Sequence, residues 1–331
     1  MELALTWLLI IAFIIIMYIL LDGFTLGTGL LFPFINADNE RDVMLATVLP
    51  VWDGNETWLV FAGAALYGAF PLAFSILFPI WYLPLMLLIF GLLLRGIAFE
   101  FRLKAKRSRA IWDWCLFGGS LMAVIAQGLI IGNYVSGFNL DWQSMAPIPN
   151  QWLTWFGIFC AISLIIGYTL LGCARLIKKT SGELQLKFYK ISSWLQWLLM
   201  LALIFVGIYS PQRNKLHITY WFNLHHSPFM ILFLIIIAIL FIIHALAIKN
   251  KIEKLPFITI VLVFIFAYLA LVTSKLPYIV PNYLTFMQAR SDDGALLFML
   301  IGAAILIPLL LIYTAYAYRV FGGKPNEKIS Y

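Results

Sequence analysis

The sequence predicts an all-α integral membrane protein with nine transmembrane helices, an outer N-terminus and a cytoplasmic C-terminus. Of the 331 residues, 63% are hydrophobic and only 11% are charged, whereas soluble domains carry about 25% charged residues. Long apolar runs recur along the whole chain, and the basic residues between them fall mostly on alternate linkers. These three observations predict one membrane domain over residues 1–331.

The apolar runs are long enough for membrane spans, which need about 20 residues. The first run lacks a basic segment before it and a small-residue cleavage site, so we interpret it as a retained helix and not a signal peptide. The second has a polar start and ends at Pro71, and the third contains Pro79 and Pro84, which predict a kink. The nine predicted spans are residues 4–24, 54–72, 76–100, 112–135, 152–173, 191–210, 228–248, 255–273 and 296–318.

The distribution of basic residues sets the orientation. Arginine and lysine cluster in the linkers around residues 102–109, 175–190 and 249–254 and in the tail after residue 318. The opposite side holds only Arg213, Lys215, Lys275 and Arg290. Cytoplasmic loops are enriched in basic residues, so the clusters are expected in the cytoplasm. Inclusion of the weak second span also keeps Arg41, in the first linker, on the side of these clusters.

Three carboxylates lie where the first two spans meet the cytoplasmic side. Asp22 ends the first span in "LLDGF", and Asp53 and Glu56 begin the second in "VWDGNETW". A charge in a membrane helix costs about 2.5–3.5 kcal/mol at mid-depth on insertion scales, so these groups need a reason. We expect them to form a proton path from the cytoplasm.

Helix capping is the alternative for two of these residues. Asp53 is a good N-cap type, and Glu56 three residues later completes a pattern like a capping box. The two roles are compatible. Asp22 has no such explanation, because a helix C-terminus disfavours an anion.

Arg95, in "LLLRGIAFEFR", is the cation within a predicted span. Two interpretations stay open: its side chain snorkels to the interface, or it pairs with a buried carboxylate or a cofactor propionate. Glu100 and Arg102 fall at the interface and are expected to be solvated.

Histidines and cysteines give little support for a metal centre on this chain. A haem needs an axial ligand, usually histidine, and only His244 falls inside a predicted span. The cysteines form no CxxC pair, so we interpret them as buried spectators. The other three histidines, His217, His225 and His226, lie in one outer loop. The three cysteines, Cys115, Cys160 and Cys173, lie in or beside apolar runs.

Motifs along nearly the whole chain resemble subunit II of cytochrome bd ubiquinol oxidases, including the cyanide-insensitive relatives. They are, in order, "LLDGFTLGTGLL", "VWDGNETWLVFAGAALYGAFP", "LRGIAFEFR", "WDWCLFGGS", "GELQLK", "LPYIVPNYLT" and "IPLLLIYTAYAYRVFGGK". The Asp-Gly-Phe and Trp-Asp-Gly-Asn motifs are specific when they occur together.

The resemblance implies a multi-pass subunit of a complex in the bacterial cytoplasmic membrane. That complex oxidises quinol and reduces dioxygen to water with protons from the cytoplasm, which contributes to proton-motive force. Subunit I, the partner, holds two b-type haems, one haem d and the quinol site. This chain then has no catalytic residue, metal ligand or firmly placed cofactor. A structural quinone in this subunit and a small single-span subunit are further expectations, whereas nucleic acid is not a partner.

The resemblance also implies roles for individual residues. Asp22 and Asp53 match aspartates of the family's proton path, and Trp58 matches a tryptophan beside a hydrophobic dioxygen route. Two positions depart from the family: Thr25 stands where many relatives have an aspartate, and Val51 where many have a histidine. Many relatives have an uncharged residue at the position of Glu56. We hypothesise that Glu56 compensates for the less polar path that Thr25 and Val51 leave.

Two other functions fit the same residues. A secondary transporter also uses intramembrane carboxylates, and it predicts internal repeats and broken helices near mid-membrane. A purely structural assembly subunit would use the carboxylates only as caps.

Overall fold

Long helices make up almost all of the protein. The computed structural model describes residues 2–140, 151–213 and 227–325. The helices are α1 (Glu2–Leu31), α2 (Asp38–Val48), α3 (Trp52–Ala69), α4 (Pro71–Ile80), α5 (Tyr82–Lys104), α6 (Arg109–Ser136), α7 (Trp155–Lys179), α8 (Gly182–Arg213), α9 (Ser227–Lys249), α10 (Leu255–Lys275), α11 (Phe286–Ala289) and α12 (Asp293–Val320). A 3-10 turn, Phe32–Phe34, follows α1, and two short antiparallel strands, β1 (Tyr278–Val280) and β2 (Leu284–Thr285), precede α11.

Within the described residues, eight helices are long and apolar enough to cross a membrane: α1, α5 to α10 and α12. This confirms an all-α multi-pass membrane protein. The predicted second span also forms a helix, α3, which has 18 residues. Its first turns carry Asp53, Asn55 and Glu56, and these polar residues keep its mean hydropathy below that required of a candidate span.

Two predicted boundaries are wrong. The first helix does not end near residue 24 but continues to Leu31, so Asp22 lies inside α1 and not at its C-terminus. The third predicted span, 76–100, is divided at Trp81, where α4 ends and α5 begins. Pro79 lies in α4 and Pro84 in the first turn of α5, so the prolines mark a break between two helices.

Glycines let neighbouring helices approach closely around the middle of the bundle. A Cβ atom at Gly119 of α6 would lie 2.5 Å from the carbonyl oxygen of Gly91 and 2.8 Å from the backbone nitrogen of Arg95, both in α5. A Cβ atom at Gly27 of α1 would lie 1.7 Å from the carbonyl oxygen of Tyr168 in α7. Small residues at such crossings permit backbone contact in membrane helices. The crossing at Gly119 fixes the position of Arg95.

We expect Gly119→Ala to lower the yield of folded protein strongly, because the added methyl group meets backbone that cannot move aside. Gly118→Ala is the matched control, since a Cβ atom there meets nothing within 4 Å and alanine favours a helix over glycine by about 1 kcal/mol. Thermal unfolding and yield in detergent measure both variants. Equal stability of the two would contradict the close α5–α6 crossing.

Ion pairs fasten α2 to the adjoining ends of α5 and α6. Arg102 is 1% exposed and pairs with Asp42 of α2 and Asp113 of α6. Arg41 of α2 pairs with the same Asp113 at 2.7 Å. The prediction that Arg102 is solvated is therefore wrong, because α2 folds over it and supplies a carboxylate. Glu100 is exposed, as expected.

Candidate functional site

A buried ion cluster joins α1, α3 and α5. Nη2 of Arg95 donates to both carboxylate oxygens of Asp22, at 2.8 Å and 3.1 Å. The same Nη2 donates to the carboxylate of Glu56. The side chains of Arg95 and Asp22 are 0% exposed, and that of Glu56 is 22% exposed. Of the two interpretations of Arg95, the structure shows the one in which it pairs with a buried carboxylate.

The depth of the cluster follows from the positions of its residues in their helices. Asp22 lies nine residues before the end of α1 at Leu31, and Arg95 lies nine residues before the end of α5 at Lys104. At 1.5 Å per residue, each lies about 14 Å inside its helix end. Glu56 lies one turn inside the start of α3. Three helices therefore meet at one level with one charged residue each.

The cluster contains one carboxylate more than it has cations. Arginine stays protonated in proteins, so the ionised cluster carries a formal charge of −1. Burial penalises such an uncompensated charge, and one added proton makes the cluster neutral. Chemically, the arrangement can hold and release a proton inside the helix bundle.

Thr25 forms hydrogen bonds with both Arg95 and Asp22. Its hydroxyl accepts a hydrogen bond from Nη1 of Arg95 at 3.1 Å and donates to the carboxylate of Asp22. Position 25 is thus polar and bonded to the charged groups.

A buried chain of hydrogen-bonded polar side chains begins one helical turn before Asp22. Tyr18 precedes Asp22 by one helical turn. Its hydroxyl accepts from Nε2 of Gln127 at 3.1 Å, and the hydroxyl of Tyr168 donates to Oε1 of Gln127 at 2.8 Å. Sequence reasoning missed these three residues. The four-residue spacing of Tyr18 and Asp22 was a signal, but nothing in the sequence placed Gln127 or Tyr168 beside them.

Asp53 does not join the ion cluster. It is exposed in the first turn of α3, and the residue at the N-cap position is Val51. The capping interpretation is wrong, because the helix begins at Trp52 and no side chain accepts a hydrogen bond at its cap. Glu56 bonds to Arg95, so it does not complete a capping box.

Trp58 lies two residues beyond Glu56 on a buried face of α3. It is 0% exposed, and its ring meets the edge of Phe13 with centroids 6.0 Å apart. Its Nε1 has no hydrogen-bond partner among the described residues. Trp58 belongs to a hydrophobic cluster that includes buried side chains of α1, α3, α4 and α12.

His244 has both ring nitrogens occupied by hydroxyl groups. Nε2 lies 3.1 Å from Oγ of Ser192, and Nδ1 lies 3.0 Å from Oγ1 of Thr259. In the described parts of the chain, no three histidine, cysteine or acidic residues are grouped as a metal site would require. Cys160 and Cys173 are buried and Cys115 is partly buried, all three as free thiols. The outer-loop histidines His217, His225 and His226 lie outside the described residues.

Comparison with known proteins decides the family. The sequence model of the family described as cytochrome bd terminal oxidase subunit II matches residues 3–321. The chain belongs to this family. Chains of the cytochrome bd subunit II family are parts of a respiratory terminal oxidase, and the apolar helices agree with a multi-pass membrane subunit.

Relatives match over nearly their full length. The chain is 27% identical to the cytochrome bd-I ubiquinol oxidase subunit 2 of Escherichia coli K12, over 98% of this chain and 95% of that protein. It is 25% identical to the cytochrome bd ubiquinol oxidase subunit 2 of Bacillus subtilis 168, over 97% and 96%. A chain in the structure of bd oxidase from Geobacillus thermodenitrificans has the same fold, with a TM-score of 0.82, 16% identity and coverage of 97% and 99%.

Proposed function

We propose that this chain is subunit II of a quinol:oxygen oxidoreductase in a bacterial cytoplasmic membrane. It pairs with a haem-bearing subunit I and lines a proton route and a dioxygen route into that partner. The observation that carries the proposal is the buried Asp22–Arg95–Glu56 cluster with its surplus carboxylate. The resemblance implies that the two b-type haems and the haem d belong to subunit I, and that this chain alone is not catalytic.

Nine spans with an outer N-terminus are part of the proposal. Packing of α3 against α12 supports α3 as the ninth span. Gly54 lies against Tyr313, and Gly68 against Met299, fourteen positions apart in both helices. The two helices therefore run antiparallel past each other for about 21 Å. Because α12 is long and apolar enough to cross the membrane, α3 lies at the same depth.

Labelling of single cysteines tests this topology. In a background without Cys115, Cys160 and Cys173, we expect cysteines at Lys106 and Lys251 to react only with reagent on the cytoplasmic side. Cysteines at Asn139 and Asp293 are expected to react only from outside. Both pairs lie in or beside exposed ends of helices. A cysteine at Asn39, exposed in α2 before α3, is expected to react from the cytoplasmic side like one at Lys106. Labelling of positions 39 and 106 from opposite faces would contradict α3 as a span.

In the proposed proton route, Asp53 is the entrance and the ion cluster is the internal station. Asp53 is exposed in the first turn of α3, about one turn before Glu56. Glu56 is partly exposed, whereas Asp22 is fully buried. This order of exposure gives a proton a route from solvent to the interior through carboxylates alone. Glu56 and Thr25 supply polar groups beside Arg95, in keeping with the compensation hypothesised from the sequence.

Removal of the Asp53 carboxylate should slow turnover without harming assembly. We expect Asp53→Asn and Asp53→Ala both to assemble with normal haem content and to consume oxygen several-fold more slowly. They should behave alike because Asp53 caps no helix, whereas a lost N-cap would cost about 0.5–2 kcal/mol in the alanine variant only. Asp53→Glu should recover part of the rate. Poor assembly of Asp53→Ala alone, with full turnover in Asp53→Asn, would favour the purely structural role.

The dioxygen route is proposed along the apolar side chains around Trp58. Dioxygen is a small apolar molecule, so a path for it requires packing without charged groups. Trp58 and Phe13 offer such packing on the other side of α3 from the exposed Asp53. Protons and dioxygen would thus use different faces of the same helix.

Co-purification tests the assignment as a whole. The chain should co-purify with a haem-bearing subunit, the complex should show b-type and d-type haem absorption, and quinol should drive oxygen uptake. Expressed alone, the chain should hold no stoichiometric haem. Isolation as a stable transport protein without such a partner would contradict the proposal and favour the secondary transporter.

A further inference from the structure

A buried cation without a counter-ion lies near the end of α7. Arg175 is 4% exposed. Its guanidinium carbon lies 5.0 Å from the ring centroid of Phe24, 5.3 Å from that of Phe257 and 5.2 Å from that of Tyr318. The rings belong to α1, α10 and α12, so four helices surround this one charge.

Arg175 lacks an anionic partner within the described parts of the chain. None of its nitrogens takes part in an ion pair or hydrogen bond there, and its Nε is fully buried. Two acids close in sequence to Phe24 and Lys254 are engaged elsewhere. Asp22 bonds to Arg95, and Glu253 accepts from Lys324 at 2.8 Å and from Gln185 at 3.0 Å. Those hydrogen bonds hold the pKa of the Glu253 carboxyl below its ordinary value.

Two lysines add positive charge at the same place. Nζ of Lys178 lies 5.9 Å from the centroid of the same Phe257 ring that Arg175 contacts. Lys254, at the N-cap of α10, lies three residues before Phe257, so its positive charge adds to those of Lys178 and Arg175. Aromatic rings stabilise a cation, but they do not offset repulsion between cations. An anion bound by Arg175, Lys178 and Lys254 together would offset that repulsion.

We infer that Arg175, Lys178 and Lys254 bind the phosphate of an anionic phospholipid headgroup. The three cations lie where α7 ends and α10 begins, which is the level of the lipid headgroups for helices that cross the membrane. Basic pockets between such helix ends bind phosphate headgroups, and arginine forms paired hydrogen bonds to phosphate. Ile258, one turn into α10, is 51% exposed and offers apolar surface for an acyl chain.

Thermal stability of the purified protein tests this site. The full-length chain, in detergent with the subunits that accompany it, is heated with added phosphatidylglycerol, phosphatidylcholine or inorganic phosphate. We expect phosphatidylglycerol to raise the Tm by about 2–4 °C more than phosphatidylcholine, because a ligand of the folded state stabilises it. Inorganic phosphate at the same concentration should have no comparable effect.

Matched variants assign the effect to the site. Arg175→Gln should abolish the difference between the two lipids, and Arg107→Gln, at an exposed arginine in the α5–α6 linker, should preserve it. If Arg175→Gln does not fold, the double variant Lys178→Gln/Lys254→Gln replaces it as the test. We expect that variant to lose at least half of the Tm difference between the two lipids. An equal effect of inorganic phosphate would overturn the assignment to a lipid. A difference that survives these substitutions would overturn the site.

Discussion

Arg95→Gln should be the most damaging single substitution in this chain. It leaves the carboxylates of Asp22 and Glu56 next to each other without the cation that bonds to both. Removal of one partner from a buried ion pair typically costs about 3–5 kcal/mol, because the other charge stays buried. We expect little assembled complex at neutral pH and a lower Tm for what remains. Protonated carboxyl groups carry no charge, so the loss should be smaller in acid.

The triple variant Asp22→Asn/Glu56→Gln/Arg95→Gln separates charge from packing. It removes all three charges and keeps side chains of similar size, so it should assemble better than Arg95→Gln alone. Arg107→Gln makes the same chemical change at an exposed position and should assemble normally. Yield and Tm of the detergent-purified complex measure all three. Wild-type stability of Arg95→Gln would show that the ion cluster does not hold α1, α3 and α5 together.

Much of the fold was visible in the sequence because membrane insertion depends on properties of single segments. Eight of the nine predicted spans correspond to helices that meet the length and hydropathy of a span. The errors arose where one segment depends on another. The sequence predicts an end of the first helix near residue 24 because Asp22 looks costly in isolation, and it does not show that Arg95 of α5 lies beside Asp22. Arg102 was expected in solvent because its partner Asp42 comes from α2, sixty residues earlier.

The candidate site was predictable in its residue types and not in its contacts. Asp22, Glu56 and Arg95 stood out as charges in apolar runs. Which carboxylates meet the cation depends on how α1, α3 and α5 rotate against one another, and no spacing in the sequence encodes that rotation. Asp53 shows the same limit: a shift of two residues in the start of α3 turns an expected N-cap into an exposed first-turn residue.

Asp22→Asn should have the largest effect on turnover of any substitution that leaves assembly intact. Asparagine keeps the shape and an acceptor for Arg95, and the remaining Arg95–Glu56 pair is neutral. The surplus carboxylate that can hold a proton is lost. A positioned proton-transfer group typically contributes about 10²–10⁴-fold, so oxygen uptake should fall at least about tenfold. Glu56→Gln should behave similarly, and the double variant should be little worse than either single one, as expected for two members of one path.

Oxygen uptake per haem, measured on purified Asp22→Asn complex with excess quinol, tests the central claim most directly. Glu100→Gln, which removes an exposed carboxylate from the same helix as Arg95, is the control and should turn over normally. We predict normal haem content and at least about a tenfold lower rate for Asp22→Asn, with partial recovery in Asp22→Glu. Full turnover in Asp22→Asn with normal haem content would contradict a proton path through this subunit.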